Sequence, residues 1–167
     1  MKFNEVMHLS FYTDQLDAMR DFYENKLGLK AKIIMRYEAY KGQVDKGEWA
    51  KRAETRPKDI CYIFIELAPG QYLEFFPKAD GQGEYIEPNT HLGYSHFALM
   101  VDDIFEAREE LVNAGVEIDI EPKKGQSETW QMWIHDPDGN KFEIMQYTDK
   151  SLQYKGNIEE DKRKYGG

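Results

Sequence analysis

The chain has a single cysteine, Cys61, which excludes an intramolecular disulfide and leaves folding to a packed core. Set in the apolar run ICYIFIEL, it reads as a small buried hydrophobe suited to a reducing compartment. Long hydrophobic runs are lacking too. The N-terminal MKFNEVMHL is charged and enters a strand almost at once, so the sequence predicts neither a signal peptide nor a membrane span, and hence a cytoplasmic protein. Basic residues are in the minority, 22 Lys and Arg against 31 Asp and Glu for a net charge of −9. No Lys/Arg stripe with interleaved aromatics is present to track phosphates. Nucleic acid and membrane therefore drop out as expected partners, and a small molecule remains. At 167 residues the chain suits one domain with a real core and is too short for two independent domains of usual size.

What the chain does have is a repeat. Around His8 it runs HLSFYTDQLDAMRDFYENKLGL and around His96 HFALMVDDIFEAREELVNAGV, each passing from an apolar strand through an Asp into an amphipathic helix. A glutamate centres a later strand in each copy, Glu74 in YLEFF and Glu143 in KFEIM. In the first copy the alternation over residues 3 to 13 turns Met7, Leu9 and Phe11 one way and His8, Ser10 and Tyr12 the other. Asp14 is expected to cap a helix with Leu16, Met19, Tyr23 and Leu27 on one stripe, stopped by Gly28. In the second copy Asp102 or Asp103 caps, Ile104, Ala107, Leu111 and Ala114 follow at helical spacing, and Gly115 ends the helix.

Three strands follow each helix. They are expected at 30 to 37, 60 to 68 and 71 to 77, the last two joined by the turn APGQ, and at 116 to 121, 128 to 135 and 140 to 147, the last two joined by DPDGN. The fold expected is thus α+β, two tandem βαβββ modules. Module one spans 1–78, a linker 79–92, module two 93–148 and a charged tail 149–167, fraying or loosely docked beyond Tyr154. The histidines stand further apart than the glutamates, so the first copy carries extra residues. They lie in the charged segment 38–59, with a short helix around Gly47 to Ala53. This insert reads either as plain surface or as a lid that Trp49 helps close.

Alternation places Glu74 and Glu143 opposite their apolar neighbours, on the face that receives His8 and His96. A buried carboxylate is costly unless it is paired or bound to a metal. Two imidazoles and two carboxylates on one face would be offset by a shared divalent ion, and such a mixed N2O2 set suits Zn, Ni, Co, Fe(II) or Mn. His91, in the linker, and His135, at the DPDG turn, are expected to make ordinary hydrogen bonds, and Asp136, Asp138 and Gly139 to serve the turn.

The segments HLSFYTD and GYSHFALMVDD, the helix ending KLGL and the close DPDGNKFEIMQ resemble the glyoxalase/bleomycin resistance/extradiol dioxygenase superfamily, also called vicinal oxygen chelate, over about residues 3 to 148. The resemblance implies an incomplete eight-stranded barrel around a metal, and a homodimer. Glyoxalase I is the most similar member at the site. Its metal set carries over to His8, Glu74, His96 and Glu143, implying a lyase that shifts a proton next to a carbonyl through an enediolate, with Glu143 as base and Glu74 as its opposing partner. The resemblance departs at Tyr12, where short bacterial glyoxalase I has an arginine for the glutathione carboxylate. Arg36, Lys41, Lys51 and Arg52 are the cations able to replace that charge. Two other activities belong to the same resemblance. One is Fe(II) ring cleavage on His8, His96 and Glu143; the other is sequestration of a planar ligand against Tyr12, Phe76, Tyr94, Trp130 and Tyr147.

Overall fold

A computed structural model describes residues 1–2 and 4–166. The chain divides into two compact units, Met1–Tyr85 and Ile86–Gly167. Unit one runs β1 (His8–Thr13), α1 (Leu16–Arg20) continuing as a π-helical stretch Asp21–Lys26, and β2 (Lys30–Arg36). Two 3₁₀ turns, Tyr37–Tyr40 and Val44–Lys46, lead to α2 (Glu48–Thr55), β3 (Ile60–Ala68) and β4 (Gln71–Pro77). Unit two runs β5 (Phe97–Met100), α3 (Ile104–Asn113), β6 (Ile120–Lys124), β7 (Trp130–His135) and β8 (Lys141–Gln146), followed by α4 (Leu152–Lys155) and α5 (Ile158–Tyr165). Each unit holds one open four-stranded sheet, ordered β1-β4-β3-β2 and β5-β8-β7-β6. The first and last strands of each unit pair in parallel and the other neighbours antiparallel. A parallel pair needs a long crossover, which α1 and α3 begin. The expected α+β βαβββ pattern is present in both units.

The helix side of each sheet is the core. In unit one Met19 and Tyr23 are fully buried against Leu73, Phe75, Ile63 and Ile65, with the Tyr23 and Phe75 rings 5.3 Å apart. Phe22 is buried as well, which the predicted stripe omits. An α-helix would turn adjacent side chains about 100° apart. Here the helix widens, Leu27 N–H donating to the Phe22 carbonyl at 3.0 Å, and both Phe22 and Tyr23 enter the core edge to face. In unit two Phe97 stacks on Phe142 at 4.7 Å beside buried Ile104, Leu111, Met132, Ile134 and Ile144.

Several expected boundaries move, for physical reasons. The first strand begins at His8, which pairs with Tyr72, and Tyr72 N–H donates to the Met7 carbonyl just ahead of it at 2.9 Å; the expected start, Phe3, lies outside the described residues. Asp14 caps nothing. The N-cap position is Gln15, without a side-chain cap, and Thr13 Oγ1 accepts the Gln15 N–H at 3.0 Å. Asp103, in contrast, accepts from the N–H groups of Phe105 and Glu106 at 2.8 and 3.1 Å. The expected strand 116–121 is displaced to β6, which runs through Pro122: an edge strand tolerates proline, and the register slips between Ile120 and Lys123. Gly28 and Gly115 end their helices at φ of 67° and 73°. The tail is helical, but α5 buries no residue. Among the described residues, no helix is long and apolar enough to cross a membrane.

Candidate metal centre

The β1–β4 pairing sets Ser10 beside Glu74. His8, Ser10 and Tyr12 therefore share a sheet face with Tyr72, Glu74 and Phe76, while Leu73 and Phe75 point to the helix side. His8 Nε2 stands 3.5 Å from Glu74 Oε2. Ser10 Oγ donates to the same oxygen at 2.6 Å, and Glu74 is buried at 8 % exposure. The Phe64 ring meets the His8 imidazole edge to face at 5.6 Å.

Unit two repeats the arrangement in the same register. β5 pairs with β8 so that Ala98 lies beside Glu143, and His96, one residue ahead of β5, reaches its glutamate with Nε2 3.9 Å from Oε2. The Trp133 ring packs on the His96 imidazole at 4.7 Å. Ser95 Oγ donates to Asn89 Oδ1 at 2.7 Å and lies 2.9 Å from His96 Nδ1. A hydroxyl has one hydrogen, so with that hydrogen on Asn89 the imidazole carries its own proton on Nδ1. The lone pair is then on Nε2, facing Glu143.

An imidazole nitrogen and a carboxylate oxygen are both donor types that divalent transition ions take. Two donors each about 2.1 Å from a tetrahedral metal stand about 3.4 Å from one another. The His8–Glu74 separation of 3.5 Å is near that value, and the His96–Glu143 separation of 3.9 Å is wider. Each unit brings one such pair, and among the described residues no group of three or more His, Cys, Asp and Glu side chains is gathered that could hold a metal ion.

The remaining expected residues sort themselves. His135 Nδ1 is bound to Asp119 at 2.8 Å and His91 Nδ1 to the Thr90 hydroxyl at 3.0 Å, both ordinary hydrogen bonds. Asp136 accepts from the N–H groups of Asp138 and Asn140, closing the turn. Tyr12 pairs with Phe76 at 5.3 Å, on the site face. Tyr94 is exposed and Tyr147 lies against Tyr154 of α4. Trp130 does not belong to the site face. Alternation from Glu143 through its partner Trp133 puts Trp130 on the other side, where it packs on Phe105 of α3. Phe64 and Trp133 were missed by the sequence reading. Each sits directly across from its glutamate, and aligning the two copies at Glu74 and Glu143 would have revealed both.

The model of the Glyoxalase/Bleomycin resistance protein/Dioxygenase superfamily matches residues 5–144. The chain belongs to this superfamily. Solved structures with the same fold include a glyoxalase family protein from Enterococcus faecalis, 24% identical, with a TM-score of 0.63 over 87% of this chain and 99% of that one. Another is a lactoylglutathione lyase from Agrobacterium tumefaciens, 18% identical, with a TM-score of 0.58 over 90% of this chain and 97% of that one. A virulence protein from Salmonella typhimurium is 17% identical, with a TM-score of 0.56 over 89% of this chain and 100% of that one. No curated protein matches the sequence. At these identities the likeness to solved structures is one of superfamily fold, and the chemistry rests on the side chains.

Proposed function

We propose that the protein is a metal-dependent lyase of the glyoxalase I kind, in which His8, Glu74, His96 and Glu143 serve one divalent transition ion. The substrate is a small 2-oxoaldehyde–thiol adduct or a related compound with neighbouring oxygens. The observation that carries the reading is the Nε2 and Oε2 pair repeated in both units, at 3.5 and 3.9 Å. The likeness to a lactoylglutathione lyase adds to it.

A divalent ion held there would polarise the substrate oxygens. The chain's own residues would move the proton. Glu143 takes it from the hydroxyl-bearing carbon next to the carbonyl and returns it to the former carbonyl carbon, while the hydroxyl proton passes to the former carbonyl oxygen, so the reaction is an internal shift that consumes no oxidant. Glu143 suits this role better than Glu74. Ser10 holds Glu74 Oε2 at 2.6 Å, whereas Ala98, in the matching register, offers no hydroxyl to Glu143. His96, fixed by Ser95 through Nδ1, keeps Nε2 as a donor. The protein is proposed to act as a cytoplasmic homodimer, an isologous pairing being a common way to cover open sheet edges.

Metal analysis of the protein as purified, followed by a methylglyoxal assay with several thiols, tests the reading. A transition metal lost on mutating His8 or His96, with lactoyl-thiol formation, is expected. A protein that binds no transition metal and isomerises no adduct would overturn it.

A further inference from the structure

The insert carries a feature that the metal reading does not use. Arg52, on α2, is 6 % exposed. Its Nη1 donates to the Tyr37 hydroxyl at 2.9 Å. Its other edge is poorly served. Asp80 Oδ2 pairs with Nη2 at 2.9 Å, while the nearest carboxylate to Nε, Glu48 Oε1, stands at 3.7 Å. That edge of the buried guanidinium is held by a single close contact from an exposed carboxylate, and the Nε/Nη2 edge is the fork that grips a carboxylate or phosphate with two parallel bonds.

Space adjoins the residue. Arg52 lines a cavity of about 200 Å³ that is also walled by Tyr12, Trp49, Phe76 and Asp80. Trp49 stacks on Phe76 with centroids 6.0 Å apart, giving a flat apolar wall beside the charge. Arg52 also borders a wider cleft of about 560 Å³. Four further cations line that cleft, Arg36, Arg56, Lys58 and Lys78, along with Asp14, Asp17, Asp59 and Asp80. The Asp80 side chain is 79 % exposed, so releasing Arg52 returns a carboxylate to water at little cost.

We propose that Arg52 is the binding site for the oxyanion of a small molecule, which takes the place of Asp80 on the Nε/Nη2 edge while its planar portion lies against Trp49 and Phe76. The ligand class is a small carboxylate or phosphate ester with a flat apolar body. Asp80 then acts as a placeholder that satisfies the arginine until the ligand arrives. The site needs no metal and stands whether or not the lyase reading does.

Titration calorimetry with benzoate and with inorganic phosphate tests the proposal on the full chain. Saturable binding of at least one probe is expected, tightened roughly two- to five-fold in Asp80→Asn, the worth of one competing exposed ion pair. Binding should vanish in Arg52→Gln and persist in His8→Ala. Tighter benzoate would point to a carboxylate ligand and tighter phosphate to a phosphate ester. The proposal fails if neither probe binds Asp80→Asn more tightly than the parent. It also fails if Arg52→Gln binds as the parent does, or if His8→Ala loses the binding, which would put the anion on the metal. Should Arg52→Gln not fold, Asp80→Asn decides alone, because it leaves the buried side chain in place.

Discussion

Two glutamates that look equivalent in the sequence differ in what holds them. Glu74 is buried and clamped by Ser10, while the position matching Ser10 in the second copy is Ala98. Glu143→Gln is therefore expected to lower kcat by about 10²- to 10⁴-fold, the range of a lost general base, while keeping the metal; full activity in a metal-loaded Glu143→Gln enzyme would remove it as the base. Ser10→Ala should cost less, since it loosens a partner instead of removing the base. A second residue-scale expectation concerns Cys61. Burial pushes its thiol up to about 11, with Arg52 pulling the other way and Glu74 adding to the rise. The unfolded chain would release that proton near the ordinary value of 9.0, so between there and about 11 it binds fewer protons than the folded one. The stability contribution is thus complete below 9.0 and is lost as pH climbs to about 11. Urea midpoints for the parent should fall more steeply than for Cys61→Ala across that window; parallel curves would show that the thiol titrates alike in both states.

At the scale of elements, the legible features were those with a local cause. The strands Ile60–Ala68 and Gln71–Pro77 emerge with their expected bounds because a tight turn at Gly70 separates two apolar runs. Strand parity set His8, Ser10, Glu74 and Glu143 on their faces. What the sequence did not carry was register. That Ser10 meets Glu74 while Ala98 meets Glu143 depends on a parallel pairing between strands some 60 residues apart in unit one and some 45 in unit two, long-range choices that no local pattern encodes. The π-helical widening at Asp21–Lys26 was hidden for a similar reason, since it answers to two aromatic rings competing for one core. The insert proved more ordered than its charge suggested, with Tyr37, Ala53 and Cys61 in a small core flanked by Tyr40, Trp49 and Tyr62. The two aspartates before the helices give a direct check. Asp103→Ala should destabilise the protein by about 1 kcal/mol through loss of its two cap bonds, and Asp14→Ala should leave the helix unaffected. Equal losses in denaturant unfolding would show that the caps are misassigned.

For the whole molecule the decisive quantity is how many ions a chain holds. Each unit offers one imidazole and one carboxylate, a pair that leaves a four-coordinate ion half served, so either the two pairs share an ion or each binds one weakly with water. Sharing predicts about one metal per chain and a lowered metal content in both His8→Ala and His96→Ala, because each leaves three of the four protein donors on the same ion. Separate sites predict two per chain, with one surviving each single substitution. Inductively coupled plasma mass spectrometry on the three proteins distinguishes these outcomes, and a stoichiometry of two would end the shared-site reading. If one ion is found, mixing refolded His8→Ala and Glu143→Gln chains tells which units meet. A site built across a dimer restores one intact set in each mixed pair, and therefore roughly a quarter of the parental activity for random pairing. A site built within one chain restores none, since every chain in the mixture then carries its own defect.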